Sequence, residues 1–261
     1  MAEYEHLLHE VHDRIRVITI NRPDKLNCLD QQLWKDIQHA LKEGDEDPNV
    51  GVQIITGSGR AFCAGDDIAL LTQMSDPKVS KDLLIDCIYG LYSTLIFLQK
   101  PLIAAVNGYA YGGGCEMVLL SDLAVASEKA IFSQPEGRIG AWPMVFATFG
   151  PSLLGLKASN EFTMLCEPVS AQRALSLGLI NRVAPHEKLM ETALELAGKV
   201  MQSSPVSLKI IKETSARIMG ERLYDFWISQ LRSLKEVARS EDWLEGAAAF
   251  LEKRPPKFRG C

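Results

Sequence analysis

An α/β fold is expected, with strand–helix alternation in the first half of the chain and helices alone in the second. Short apolar runs, "RIRVITI" (14–20), "GVQIIT" (51–56) and "PLIAAVNG" (101–108), are separated by segments of helical spacing at 30–43, 80–99 and 114–121. Past about residue 145 the strand signal fades and helix-periodic segments follow one another. No Gly/Ser-rich linker, low-complexity tract or internal repeat divides the halves, so one α/β core with a helical C-terminal extension is predicted.

The elements follow in order. "RIRVITI" alternates polar and apolar residues as a half-buried strand does. "NRPDKLNCLD" (21–30) then breaks regular structure with Asn, Pro and Asp. "DQQLWKDIQHALKE" (30–43) is predicted helical, 51–56 a short apolar strand, and "GSGRAFCAGDD" (57–67) a glycine-punctuated loop. Residues 80–99 read as an amphipathic helix, 101–108 as a strand ending in a turn, 114–121 as a helix, and "LAVASEKAIFSQPE" (123–136) as short strands and turns. Helices are then expected near 157–166, 170–178, 186–203, 205–219, 223–239 and 242–252.

Composition narrows the function classes. The 261 residues are 47% hydrophobic and 23% charged, enough for a sizeable core. A net charge of −5 argues against nucleic-acid binding, which favours a basic surplus. The six cysteines include no CxxC pair and none at zinc-finger spacing from a histidine, so no structural metal site is expected. "MAEYEHLLHEVHDR" has neither a signal peptide's apolar centre nor a transit peptide's Arg/Ser bias, and no run suits a membrane span. A cytoplasmic protein with reduced thiols, off the membrane, is expected. The histidines at 6, 9 and 12 read as a solvated segment rather than a metal site.

The stretch "NGYAYGGGCEMVLLSD" (107–122) concentrates the chemistry. A strand, three glycines and a helix present unpaired N–H groups at a helix start, where the dipole is positive. Glycines admit close approach, so Gly112, Gly113 and Gly114 are candidate donors to an anion or oxyanion, with Glu116 in the first helical turn. The same pattern is equally a tight strand-to-helix turn. Glu136 lies in "FSQPEGRIG", 20 residues on (136 − 116), between Pro135 and Gly137. It is either an exposed loop glutamate or the second member of an acid/base pair, because two carboxyls in one pocket shift each other's proton affinity. In "RAFCAGDDI" (60–68) the Ala64-Gly65-Asp66 backbone follows a strand and is a candidate for a second N–H donor, and one donor here with one from Gly113 would make a two-point oxyanion hole. Cys63 and Cys115 flank this region and read as small buried apolar residues. "GSGRAF" lacks the third glycine of a dinucleotide fingerprint, and neither a GxxxxGK[ST] loop nor a GxSxG elbow occurs.

These motifs carry a resemblance. "ITINRPDKLNCLD", "GSGRAFCAGDDI", "KPLIAAVNGYAYGGGCEMVLLSDLAVAS", "FSQPEGRIG" and "EGAAAFLEKRPPKFRG" appear in an order, spread over nearly the whole chain, that resembles the enoyl-CoA hydratase/isomerase (crotonase) superfamily. The resemblance implies a core of repeated ββα units in a superhelix over 1–200. It implies a C-terminal helical region over 201–261 that forms homotrimers, or dimers of trimers, and covers part of the site. It assigns Glu116 and Glu136 as the catalytic pair and the N–H groups of Asp66 and Gly113 as the oxyanion hole. It places Gln134 near the second glutamate and Ala64, Asp67 and Ile68 along the path of the CoA arm, and Lys253 matches a lysine that reaches a neighbouring subunit's CoA; Lys25, Gly112, Trp142 and Met144 are further candidate substrate contacts.

The implied reaction is reversible hydration of a 2-enoyl-CoA to a 3-hydroxyacyl-CoA through a thioester enolate. It needs no metal and no cofactor beyond the CoA of the substrate. Double-bond isomerisation, or another acyl-CoA lyase or hydrolase reaction, is the alternative. Two departures bear on it. "WPMVFAT" (142–148) replaces a glycine-rich family segment, so Trp142, Met144 and Phe146 either reshape the acyl pocket or pack the core. Asp66 replaces a common alanine, and its carboxylate is expected to point away from the oxyanion site or to pair with Arg60 or Lys25.

Overall fold

The computed structural model describes residues 4–67, 70, 82–237 and 240–260. Strands β1 (Leu7–His12), β2 (Ile15–Ile20), β3 (Val52–Gly57), β5 (Leu102–Val106), β7 (Leu123–Ser127) and β10 (Arg182–Ala184) make a six-stranded sheet in the order β1-β2-β3-β5-β7-β10. Strands β4 (Ala61–Cys63), β6 (Tyr109–Tyr111), β8 (Ile131–Ser133) and β9 (Val169–Ser170) make a second sheet in the order β4-β6-β8-β9. Each consecutive pair, β3/β4, β5/β6 and β7/β8, gives one strand to each sheet before the chain returns, which is the repeated ββα winding expected above. Pairing is parallel within these turns and antiparallel for β1–β2 and β8–β9.

The strands are apolar on both sides because both faces are covered. Val52–Ile55 and all of β5 are buried, as parallel strands between layers must be. One layer contains α1 (Gln31–Glu46) and α2 (Gly90–Phe97), which continues from a π-helical stretch at Leu83–Tyr89. Asp30 caps α1 by accepting from Leu33 N–H at 2.8 Å. Helix α3 (Gly113–Leu120) is buried at every position, and Glu116 is the one charged residue in an otherwise apolar run. Helix α7 (Leu189–Val200) covers the opposite face of the large sheet, where Leu189, Ala193 and Leu196 meet Ile54, Ile103 and Val125. Between α3 and α7 lie α4 (Met144–Leu153), α5 (Leu156–Leu165) and α6 (Ala171–Leu177). Helices α8 (Pro205–Val237) and α9 (Glu241–Leu251) complete the chain.

Several expectations change. The N-terminal segment with His9 and His12 is not a free solvated stretch but the edge strand β1. Its alternate burial, with Leu7 buried and His12 exposed, fits one face to the sheet. Strands β4, β9 and β10 hold only 3, 2 and 3 residues, too few for a period to show, so the second half is not purely helical. Helix α4 is not among the helices expected; Pro143 is its N-cap and Pro151 falls near its C-terminal end. The helices expected at 205–219 and 223–239 are one 33-residue helix running through Gly220. A Cβ at Gly220 would come within 3.0 Å of the Phe97 ring, so the glycine serves close packing of α8 on α2 rather than a break. Residues 80 and 81 of the helix expected at 80–99 lie outside the described residues. Among the described residues, no helix is long and apolar enough to cross a membrane.

Candidate active site

The three glycines have three separate reasons. Gly112 takes φ +50°, a left-handed conformation that turns β6 into α3, and its N–H donates to Ser133 O at 3.0 Å. That donor is committed to β8, so Gly112 shapes the turn and is not free to bind substrate oxygen. A Cβ at Gly114 would lie 2.2 Å from the Cys63 carbonyl oxygen, so the helix start can touch β4 only without a side chain. Gly113 is the first residue of α3, and its N–H has no intrahelical acceptor.

One cleft of about 700 Å³, open mouth included, gathers the chemistry. Asp66, Tyr92, Gly113, Glu116 and Glu136 meet there with an apolar wall that includes Ile139, Trp142, Met144, Val237 and Trp243. No Lys, Arg or His is among the described lining residues. Asp66 bridges to Leu29 in parallel: Leu29 N–H donates to Gly65 O and Asp67 N–H to Leu29 O, so Asp66's own N–H faces the other way. Among the described residues, the N–H groups of Asp66 and Gly113 have no protein acceptor, and both residues line the cleft.

Glu116 is 5% exposed and held by three donors. Tyr92 hydroxyl donates to Oε2 at 2.5 Å, while the N–H groups of Val145 and Phe146 donate to Oε1 at 3.0 and 3.2 Å. Those amides belong to the first turn of α4, so that helix start points its positive end at the carboxylate. Burial raises the proton affinity of Glu116, and the three donors oppose it by favouring the ionised form. Glu136 opens the 3₁₀ turn after β8, and its Oε1 lies 3.0 Å from where a Gly112 Cβ would be. Burial, and then the Glu116 charge, push its carboxyl well above the usual range. The fully buried Gln134 sets its amide 2.9 and 3.0 Å from the two Glu136 oxygens, with the NH₂ end turned to them when Glu136 is ionised.

Asp66 pairs with neither Arg60 nor Lys25: Trp34 Nε1 donates to its Oδ1 at 2.9 Å. Burial pushes the Asp66 carboxyl up to about 6, against the Trp34 bond. Phe146 does not line the cleft; it is fully buried against Phe162, ring centroids 5.1 Å apart, so it packs the core. Trp142 does line the cleft, and its indole N–H donates to Gln230 Oε1 of α8. Cys63 and Cys115 are fully buried, and burial pushes both thiols up, away from the reactive thiolate.

Other expected contacts lie elsewhere. Lys25 is exposed in the 3₁₀ turn Pro23–Lys25, and Lys253 is exposed beyond α9 at φ +54°. Ala64 and Asp67 do not line the cleft; their N–H groups bond the carbonyls of Leu26 and Leu29. Ile68 lies outside the described residues. Tyr92, Trp34 and Trp243 were not foreseen. Tyr92 is one of four hydroxyl-bearing residues in "CIYGLYSTLIF", with Tyr89, Ser93 and Thr94, so nothing in that stretch singles it out.

The fold agrees with comparison to known proteins. The enoyl-CoA hydratase/isomerase family model matches residues 10–261, and the chain belongs to that family. The 2,3-dehydroadipyl-CoA hydratase of Escherichia coli (strain K12) is 36% identical over 249 residues, covering 95% of this chain and 96% of that one. The short-chain-enoyl-CoA hydratase of Clostridium acetobutylicum is 33% identical, covering 97% of each. The crystal structure of carnitinyl-CoA hydratase from Mycobacterium avium superposes with a TM-score of 0.86 at 32% identity, over 99% of this chain and 100% of that one.

Proposed function

We propose that the protein hydrates a 2-enoyl-CoA to a 3-hydroxyacyl-CoA, reversibly, in this cleft. The observation that carries the reading is the unequal environment of two carboxyls in one pocket. Burial raises both carboxyls: Glu116 to about 7, against three donors that favour its ionised form, and Glu136 well above the usual range, where the Glu116 charge adds to burial. Glu116 then serves as the base and Glu136 as the acid. The thioester oxygen is received by the N–H groups of Asp66 and Gly113, which stabilise the negative charge as it develops. Glu116 takes a proton from water as its oxygen bonds to C3, and Glu136 delivers its proton to C2. One water is consumed, and the glutamate pair is restored when the proton passes from Glu116 to Glu136. Gln134 suits both states of Glu136, because its amide donates to a carboxylate and accepts from a carboxylic acid.

The wall of Ile139, Trp142, Met144, Val237 and Trp243 supports an apolar acyl group. Exposed apolar side chains at Val206, Ile210 and Ile211 on α8, and at Leu244, Phe250 and Leu251 on α9, support assembly into trimers through residues 201–261, with Lys253 reaching the neighbouring site.

The test follows loss of the conjugated enoyl-thioester absorbance of crotonyl-CoA. Hydration with the wild type, and its loss by a factor of about 10² or more in both Glu116→Gln and Glu136→Gln, is expected. Full retention in Glu116→Gln, with loss in Glu136→Gln, would replace hydration by double-bond isomerisation through Glu136 alone.

A further inference from the structure

We propose that Tyr92 is a positioning residue: its hydroxyl holds Glu116 so that a single acceptor direction of that carboxylate is left for the attacking water. The inference rests on the hydratase reading above.

A carboxylate offers about four acceptor directions. The Val145 and Phe146 amides fill Oε1, and the Tyr92 hydroxyl fills one side of Oε2 at 2.5 Å. One direction remains, on Oε2 beside the phenol. The water that Glu116 deprotonates therefore has one place to sit, which is how a base fixes the face of attack.

The phenol is itself fixed. Tyr92 is 2% exposed, and its ring packs edge-on to Trp34 with centroids 5.4 Å apart at 88°. Trp34 is anchored in turn through its indole N–H to Asp66. A Cβ at Gly113 would lie 3.4 Å from the Tyr92 oxygen, so the hydroxyl abuts the first turn of α3, beside the proposed oxyanion donor. Among the described residues, the titratable groups that interact with Glu116 are Tyr92 from α2, Asp66 from the loop after β4, Glu136 from the turn after β8 and the neighbouring Cys115 of α3, whose thiol burial keeps protonated. With no cation among the described lining residues, Glu116 depends on its hydrogen-bond donors to stay ionised. Burial and the Glu116 charge keep Tyr92 a protonated donor.

The test is Tyr92→Phe, which keeps the ring and removes the hydroxyl. The measurements are pH profiles of kcat and KM with crotonyl-CoA, and ¹³C NMR titration of carboxyl-labelled glutamate, with Glu116→Gln to assign the resonance. Loss of a hydrogen bond to a charged group predicts a kcat about 10- to 100-fold lower, with KM within about threefold. The lost donor favoured the ionised form, so the acid limb and the Glu116 titration both move to higher pH. Site-specific 3,5-difluorotyrosine at 92, a stronger donor, moves both to lower pH and serves if Tyr92→Phe does not fold. An unchanged acid limb and titration would overturn the proposal, even if Tm falls. If the wild type hydrates no enoyl-CoA while the Glu116 titration still shifts, the hydratase reading fails and the hold of Tyr92 on Glu116 stands.

Discussion

Gly114→Ala is the sharpest probe of how the site is built. The new Cβ would lie 2.2 Å from the Cys63 carbonyl oxygen, 2.8 Å from its Cβ and 2.9 Å from its carbonyl carbon. Ordinary contact begins near 3.4 Å. The helix start or β4 must therefore yield by about 1 Å, the difference between 3.4 and 2.2 Å. The obstacle is backbone, not a side chain that can swing aside. Overpacking of this kind costs about 1–3 kcal/mol, and for a chain of this size each kcal/mol lowers Tm by roughly 2–4 °C. The catalytic cost is larger than the stability cost suggests. A shift of α3 moves Gly113 N–H and Glu116 together, and about 1 Å of misplacement removes on the order of 10² in rate.

The control is Gly198→Ala in α7, where nothing lies within 4 Å of the added Cβ. That change removes backbone freedom from the unfolded chain at no steric cost, so it stabilises by about 0.4–1 kcal/mol and leaves turnover intact. Thermal unfolding and crotonyl-CoA hydration, measured on both variants, decide the matter. Wild-type Tm and kcat in Gly114→Ala would refute the argument that a bare backbone at 114 sets the geometry of the site.

Further outcomes follow from the same contacts. Asp66→Asn leaves the backbone donor in place, so hydration persists. Removing the Asp66 charge lowers the proton affinity of Glu116 and Glu136, so the acid limb of the pH–rate profile moves to lower pH. The Asp66 carboxyl is raised from 3.8 to about 6 on folding, so the stability it supports is complete below about 4 and lost as pH rises through 6. Asp66→Asn should therefore gain stability over wild type across that window and hold a constant gain above it, which denaturant titration at several pH values reads directly. Trp142→Ala removes the indole that Gln230 holds against the cleft. Its kcat/KM for enoyl-CoAs of longer chain should rise relative to crotonyl-CoA, and an unchanged chain-length profile would show that Trp142 does not bound the acyl group.

The residues made much of this site legible in advance. Glu116, Glu136, Asp66 and Gly113 share the cleft as expected, because the turn that presents an unpaired N–H is written in contiguous glycines. What the chain order hid was the support. Tyr92 stands 24 residues before Glu116, and Val145 stands 29 after it. Helix α4 itself was not among the helices expected; the penalties of Pro143 and Pro151 depend on where in a helix they fall. Gly220 lies between the helices expected at 205–219 and 223–239, yet the helix runs through it and its missing side chain makes room for Phe97.

The sequence by itself determined the strand–helix alternation, the glycine turn at 112–114 and the two glutamates, since period and turn chemistry act between near neighbours along the chain. Only the tertiary structure decided which donors hold each carboxyl, that Asp66 bonds Trp34, and that Phe146 packs the core while Trp142 faces the cleft. Those outcomes depend on which distant segments the two sheets bring within about 3 Å of each other, a distance over which hydrogen bonds act and chain order carries no information.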